Sequence, residues 1–85
     1  VVVEFYTTAC SHCKKLAGAL NKLSEEKGDD VFFGKCNIDQ EALLQSRFDI
    51  SAVPTLLFIK NGEIKNRLVG EVHPLIIQEE IKKLA

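Results

Sequence analysis

The 85-residue chain carries 11 Lys and Arg against 12 Asp and Glu, a formal net charge of -1, and 46% apolar residues. That length holds one modest core rather than two, so residues 1–85 read as a single domain. The two signs of charge are interleaved and the longest apolar run, Leu56-Leu57-Phe58-Ile59, has the length of a buried strand, so neither a nucleic acid nor a membrane is an expected partner.

Val1-Val2-Val3-Glu4-Phe5-Tyr6 is β-branched and aromatic with one charge, the pattern of a strand buried on both faces. Glu4 is the anomaly in it. The segment has no initiator Met, basic stretch or cleavage-site pattern and reads as a chain entered in mid-strand, with residues expected upstream. From Ser11 the period changes to that of a helix: Leu16, Leu20 and Leu23, with Ala17 and Ala19, mark one face, and the helix is expected to run towards Lys27 and stop at Gly28. After the turn signal Gly28-Asp29-Asp30, residues Val31 to Ile38 form a second predicted strand. A strand–helix–strand order with so long a crossover favours parallel pairing.

Asp39 is expected to cap a short helix that turns Ala42, Leu43, Leu44 and Phe48 inward and ends before Ser51. Thr55–Lys60 and Glu63–Val69, joined by Asn61-Gly62, read as an antiparallel hairpin, because that dipeptide supplies the positive φ angles of a tight two-residue turn. His73-Pro74 opens the last helix, with Leu75, Ile77, Ile81 and Leu84 as its apolar face. Taken together, the elements describe an α/β or α+β fold, a small mixed sheet covered by helices.

Chemistry is concentrated in Cys10-Ser11-His12-Cys13. Side chains three apart on a helix lie one above the other, so Cys10 and Cys13 can form a disulfide without moving the backbone. Cys10 at the helix start faces unpaired N–H groups and the positive end of the helix dipole, which favour a thiolate, so it is the expected nucleophile. Cys13, one turn further in, is the expected resolving cysteine. His12 between them can support the Cys10 thiolate, and stabilising the reduced form raises the reduction potential, so a better oxidant than a strongly reducing dithiol is expected. An odd cysteine count argues against a disulfide scaffold. A zinc site is the rival, but the remaining ligands, Cys36, His12 and His73, stand at spacings that match no common zinc pattern. Cys36 itself reads as a small buried hydrophobe.

Val3-Glu4-Phe5-Tyr6 followed by Cys10-Ser11-His12-Cys13-Lys14 resembles the active-site strand and helix start of the thioredoxin superfamily, which includes thioredoxins and protein disulfide isomerase domains. The resemblance extends through Lys35-Cys36-Asn37-Ile38-Asp39, Val53-Pro54-Thr55 and Lys60-Asn61-Gly62-Glu63 to nearly the whole chain. It implies a thioredoxin-like α/β fold, a mixed four-stranded sheet flanked by three helices, with the family's first β-α unit upstream of Val1. It further implies a cis Val53–Pro54 peptide bond packed against the cysteine pair, with Val53, Pro54 and Thr55 at the substrate groove and the Val53 backbone pairing with substrate as an added strand. Glu4 matches the buried acid that handles the proton of the resolving cysteine, and Lys35 a lysine that neighbours that acid and biases its charge.

The departures bear on substrate choice. Thr7-Thr8-Ala9 stands where an Ala-Pro-Trp-like run is common, so the usual aromatic frame is absent. Ser11-His12 is neither the Gly-Pro of thioredoxins nor the Gly-His of disulfide isomerases, and Glu71 follows Gly70 where the isomerase-like pattern often has an arginine. The implied function is thiol–disulfide oxidoreduction on protein disulfides or dithiols, with a thioredoxin reductase-like electron donor and no metal or cofactor beyond the Cys10–Cys13 disulfide. A cytoplasmic setting is favoured, with a secretory or periplasmic one left open. Two other classes remain: a redox-inactive peptide-binding module using the Pro54 groove, and a metal-binding domain using Cys10, Cys13 and Cys36.

Overall fold

The opening strand sits in the middle of the sheet, paired along both edges. A computed structural model describes residues 1–28 and 31–84, with β1 (Val2–Tyr6), α1 (Ser11–Lys27), β2 (Phe33–Asn37), α2 (Ala42–Arg47), β3 (Thr55–Lys60), β4 (Glu63–Val69) and α3 (Pro74–Leu84). The sheet has the order β2-β1-β3-β4. β1 runs parallel to β2 and antiparallel to β3, and β3 runs antiparallel to β4. This is the mixed four-stranded sheet with three helices expected of a thioredoxin-like fold.

Alternation along β1 divides the core. Val2 packs with Leu56 and Phe58 against Leu16, Leu20 and Leu23 of α1 and Ile77 and Ile81 of α3. Phe5, on the opposite face, packs with Cys36, Leu57 and Ile50, flanked by Leu44 and Phe48 from the α2 segment. The Phe5 and Phe48 rings meet tilted, 5.7 Å between centroids. Glu4 has the parity of Val2 and so lies on the face covered by α1.

Turn chemistry sets most boundaries. Asn61 and Gly62 both have positive φ, 55° and 78°, as the tight hairpin demands. Gly28 ends α1 at φ 58°, its N–H donating to the Ser24 carbonyl; Asp29 and Asp30 of the predicted turn lie outside the described residues. His73 caps the last helix through a bond from the Leu75 N–H to Nδ1, 3.1 Å.

Three local expectations are corrected. β2 is shorter than Val31–Ile38 because its ladder spans only the five residues of β1, from Val2 opposite Phe33 to Tyr6 opposite Asn37. Asp39 does not cap α2: the N-cap is Glu41, with no side-chain capping bond, and the Asp39 carboxylate is engaged elsewhere. Leu43 points outward, 86% exposed, and Leu75 is exposed too. Leu44 and Phe48 occupy the inner face of the short helix, four residues apart, and Leu43 is rotated off that face by about 100°. Similarly, Ile77 and Ile81 define the inner face of α3, and Leu75 lies more than half a turn round from Ile77. Among the described residues, no helix is long and apolar enough to cross a membrane.

Candidate active site

Strand directions bring four chain segments to one end of the sheet. Parallel β1 and β2 leave the sheet there as Thr7–Ala9 and Ile38–Asp39, while antiparallel pairing of Thr55 with Phe5 and with Val69 puts the Ala52–Pro54 turn and Gly70-Glu71 at the same end. α1 starts among them.

Cys10 is the N-cap of α1, in extended conformation, and its Sγ accepts the Cys13 N–H at 3.1 Å. A sulfur thus takes the position an Asp or Ser oxygen usually fills, satisfying one of the orphan donors of the first helical turn. The same donor and the helix dipole would stabilise negative charge on Sγ. Cys10 is half-buried whereas Cys13 is buried. Their Cα atoms are 5.2 Å apart and the two sulfurs are at disulfide-bonding distance.

Glu4 is 1% exposed and faces α1. Among the described residues its Oε2 has no hydrogen-bond partner. Burial pushes its carboxyl up from 4.5 to about 7, and the Lys35 ammonium, opposite Glu4 in the β1–β2 ladder, opposes that shift. Glu4, Cys13, Ala17, Lys35 and Asn37 line one cleft of about 340 Å³, so Glu4, Cys13 and Lys35 share a solvent-connected space.

The cis Val53–Pro54 bond lies in a turn held from both sides. The Thr55 hydroxyl donates to the Ala52 carbonyl at 2.6 Å, and the Gly70 N–H donates to the Pro54 carbonyl at 2.8 Å. Pro54 and Thr55 are buried, and Val53 is half-buried with no backbone hydrogen-bond partner among the described residues.

His12 meets an acid from another part of the chain. Its ring turns to Glu71, Nδ1 to Oε1 3.4 Å, with the side chains 63% and 41% exposed. Cys36 lies in the opposite core cluster, and burial pushes its thiol up, which disfavours the thiolate. Among the described residues no group of three or more His, Cys, Asp or Glu side chains is arranged to hold a metal ion.

Sequence reasoning missed two features. Asp39 accepts the Thr8 N–H at 3.2 Å, Asn37 donates to the Thr8 hydroxyl at 3.0 Å, and the Asp39 N–H donates to the Asn37 side chain at 3.0 Å. This network ties the loop before Cys10 to the end of β2; a polar Asn-x-Asp after a strand was its only trace in the sequence. The second feature is Glu71, whose partner lies far away in the chain, so no local pattern signals it.

Comparison with known proteins agrees with this arrangement. The thioredoxin family model matches residues 1–83. The chain is 31% identical to the chloroplastic M-type thioredoxin of Spinacia oleracea over 83 residues, 98% of this chain and 46% of that protein, so it spans about half the length of that relative. It is 35% identical to thioredoxin-2 of Saccharomyces cerevisiae over 81 residues, 95% of this chain and 76% of that protein. Among solved structures, oxidised mitochondrial thioredoxin 3 of Saccharomyces cerevisiae matches with a TM-score of 0.88 at 31% identity, over 98% of this chain and 76% of that one. With a family match along nearly its whole length and a cysteine pair seated at the start of α1, the chain belongs to the thioredoxin family.

Proposed function

We propose that the chain is a thiol–disulfide oxidoreductase that exchanges disulfides with protein substrates through Cys10 and Cys13. The observation that supports it most is the seat of Cys10, a sulfur serving as helix N-cap within bonding distance of a buried second sulfur. In the reducing direction the Cys10 thiolate attacks one sulfur of a substrate disulfide, that bond breaks, and one substrate thiolate leaves. Glu4 takes the proton of Cys13 across the shared cleft; Cys13 then attacks the Cys10 sulfur, the second substrate thiolate leaves, and the Cys10–Cys13 bond forms. Two electrons have passed from the dithiol to the substrate, and the proton on Glu4 passes to solvent or to a departing thiolate.

Lys35 biases the charge of Glu4 in this scheme. Val53, Pro54 and Thr55 present the substrate wall, with the unpaired Val53 backbone adding the substrate as a strand. The chemistry draws on no cofactor beyond the disulfide itself. The electron donor is a thioredoxin reductase-like protein, and a cytoplasmic setting, where thiols are kept reduced, suits that direction of flow.

Reduction of insulin by the chain and by its cysteine variants tests the assignment. Cys10→Ser is expected to abolish turnover, and Cys13→Ser to accumulate a mixed disulfide with substrate through Cys10. Undiminished turnover by Cys10→Ser would contradict it.

A further inference from the structure

The His12–Glu71 contact joins two walls of the site. His12 stands in the first turn of α1 between the two cysteines, and Glu71 follows Gly70, whose N–H holds the Pro54 carbonyl. Both side chains are substantially exposed, at 63% and 41%, so the pair adds little to folding stability. Its position beside the redox pair gives it another consequence. An imidazole facing Cys10 would support the thiolate and so favour the dithiol. Here Nδ1 is turned to a carboxylate, and the N–H that Cys10 Sγ accepts comes from the Cys13 backbone.

We propose that Glu71 is a positioning residue that sets the redox poise of the Cys10–Cys13 pair, holding the His12 imidazole away from the Cys10 sulfur and so keeping the pair more reducing than Ser11-His12 alone would make it. The proposal rests on the oxidoreductase reading above. The carboxylate engages the imidazole, which leaves the Cys10 sulfur without that support. Lys15 and His73 line a cleft together with Glu71, so the coupling to His12 has to be tested separately from any general loss of charge.

The equilibrium to measure is protein disulfide plus two glutathione thiols going to protein dithiol plus glutathione disulfide, which conserves two electrons and two protons. Glu71→Gln is expected to shift it towards the dithiol by about threefold to tenfold, tenfold corresponding to about 30 mV for a two-electron couple. Glu71→Asp, which keeps the carboxylate, is expected to stay close to the unsubstituted chain. In a His12→Ala background, Glu71→Gln is expected to shift the equilibrium by less than about twofold, since the group it acts through is gone. An unchanged or more reducing Glu71→Gln, or an equal shift with and without His12, would overturn the proposal while leaving the oxidoreductase reading intact. Failure of the unsubstituted chain to form a reversible disulfide would overturn both.

Discussion

At the scale of single residues, Glu4 ties stability to pH. Its carboxyl ionises near 4.5 in the unfolded chain and near 7 in the fold, because burial disfavours the charged form. Between those values the folded state holds a proton that the unfolded state has lost, so stability falls as pH rises through this window and levels off above it. The loss is at most about 3.5 kcal/mol, at about 1.4 kcal/mol per pH unit. Glu4→Gln is therefore expected to flatten this dependence and to be the more stable protein at pH 8, while its disulfide reduction slows by on the order of 100-fold, the low end for a positioned proton acceptor. Urea unfolding at pH 4.5, 6 and 8 checks the first part; parallel pH profiles for the two proteins would contradict it. Glu4 was legible in the sequence because a lone carboxylate in an apolar strand conflicts with its surroundings. Asp39 was misread because an Asp ahead of a helical pattern is also a capping signal, and only the fold shows that the Thr8 N–H claims its side chain. Glu71 was illegible as a partner of His12 because the contact depends on how the segment after β4 returns over α1.

At the scale of elements, punctuation was read more accurately than faces. Asn61-Gly62, Gly28 and Pro74 are local devices whose backbone demands hold in any context, and the hairpin and the limits of β3, β4 and α3 follow from them. Faces depend on which neighbour covers a helix. On α1, Leu16, Leu20 and Leu23 repeat over enough turns to define one stripe, whereas the six-residue α2 leaves adjacent Leu43 and Leu44 ambiguous. Leu20→Ala is accordingly expected to cost about 2–5 kcal/mol, and Leu43→Ser no more than about 0.5 kcal/mol. Chemical denaturation of both variants decides this; comparable losses would mean that Leu43 is buried after all. The start of β2 was overextended because Val31 and Phe32 have strand propensity, yet the ladder ends where β1 ends.

At the scale of the whole molecule, the sheet order brings residues from the β1, β3 and β4 ends together at one site. Parallel pairing of β1 with β2 and the β3–β4 hairpin were readable from connection length and turn type. The placement of β1 between β2 and β3 was not read from the sequence, because no local pattern says which strands pair across a sheet. Joining Cys10 to Cys13 restricts the unfolded chain by a loop of a few residues, so the oxidised protein is expected to be more stable than the reduced one by about 2 kcal/mol or less. Thermal unfolding with and without reductant measures this gap. Stability and redox equilibria form one cycle, so Glu71→Gln should narrow the gap by the same free energy with which it favours the dithiol. A reduced form that unfolds at the higher temperature would contradict the expected order.

The most direct test of the account is to equilibrate the chain across a series of glutathione redox buffers, quench, alkylate free thiols and weigh the products. A reversible, two-electron transition confined to Cys10 and Cys13 is expected, with Cys36 remaining a thiol throughout. Absence of a reversible Cys10–Cys13 disulfide, or a transition that engages Cys36 instead, would contradict it.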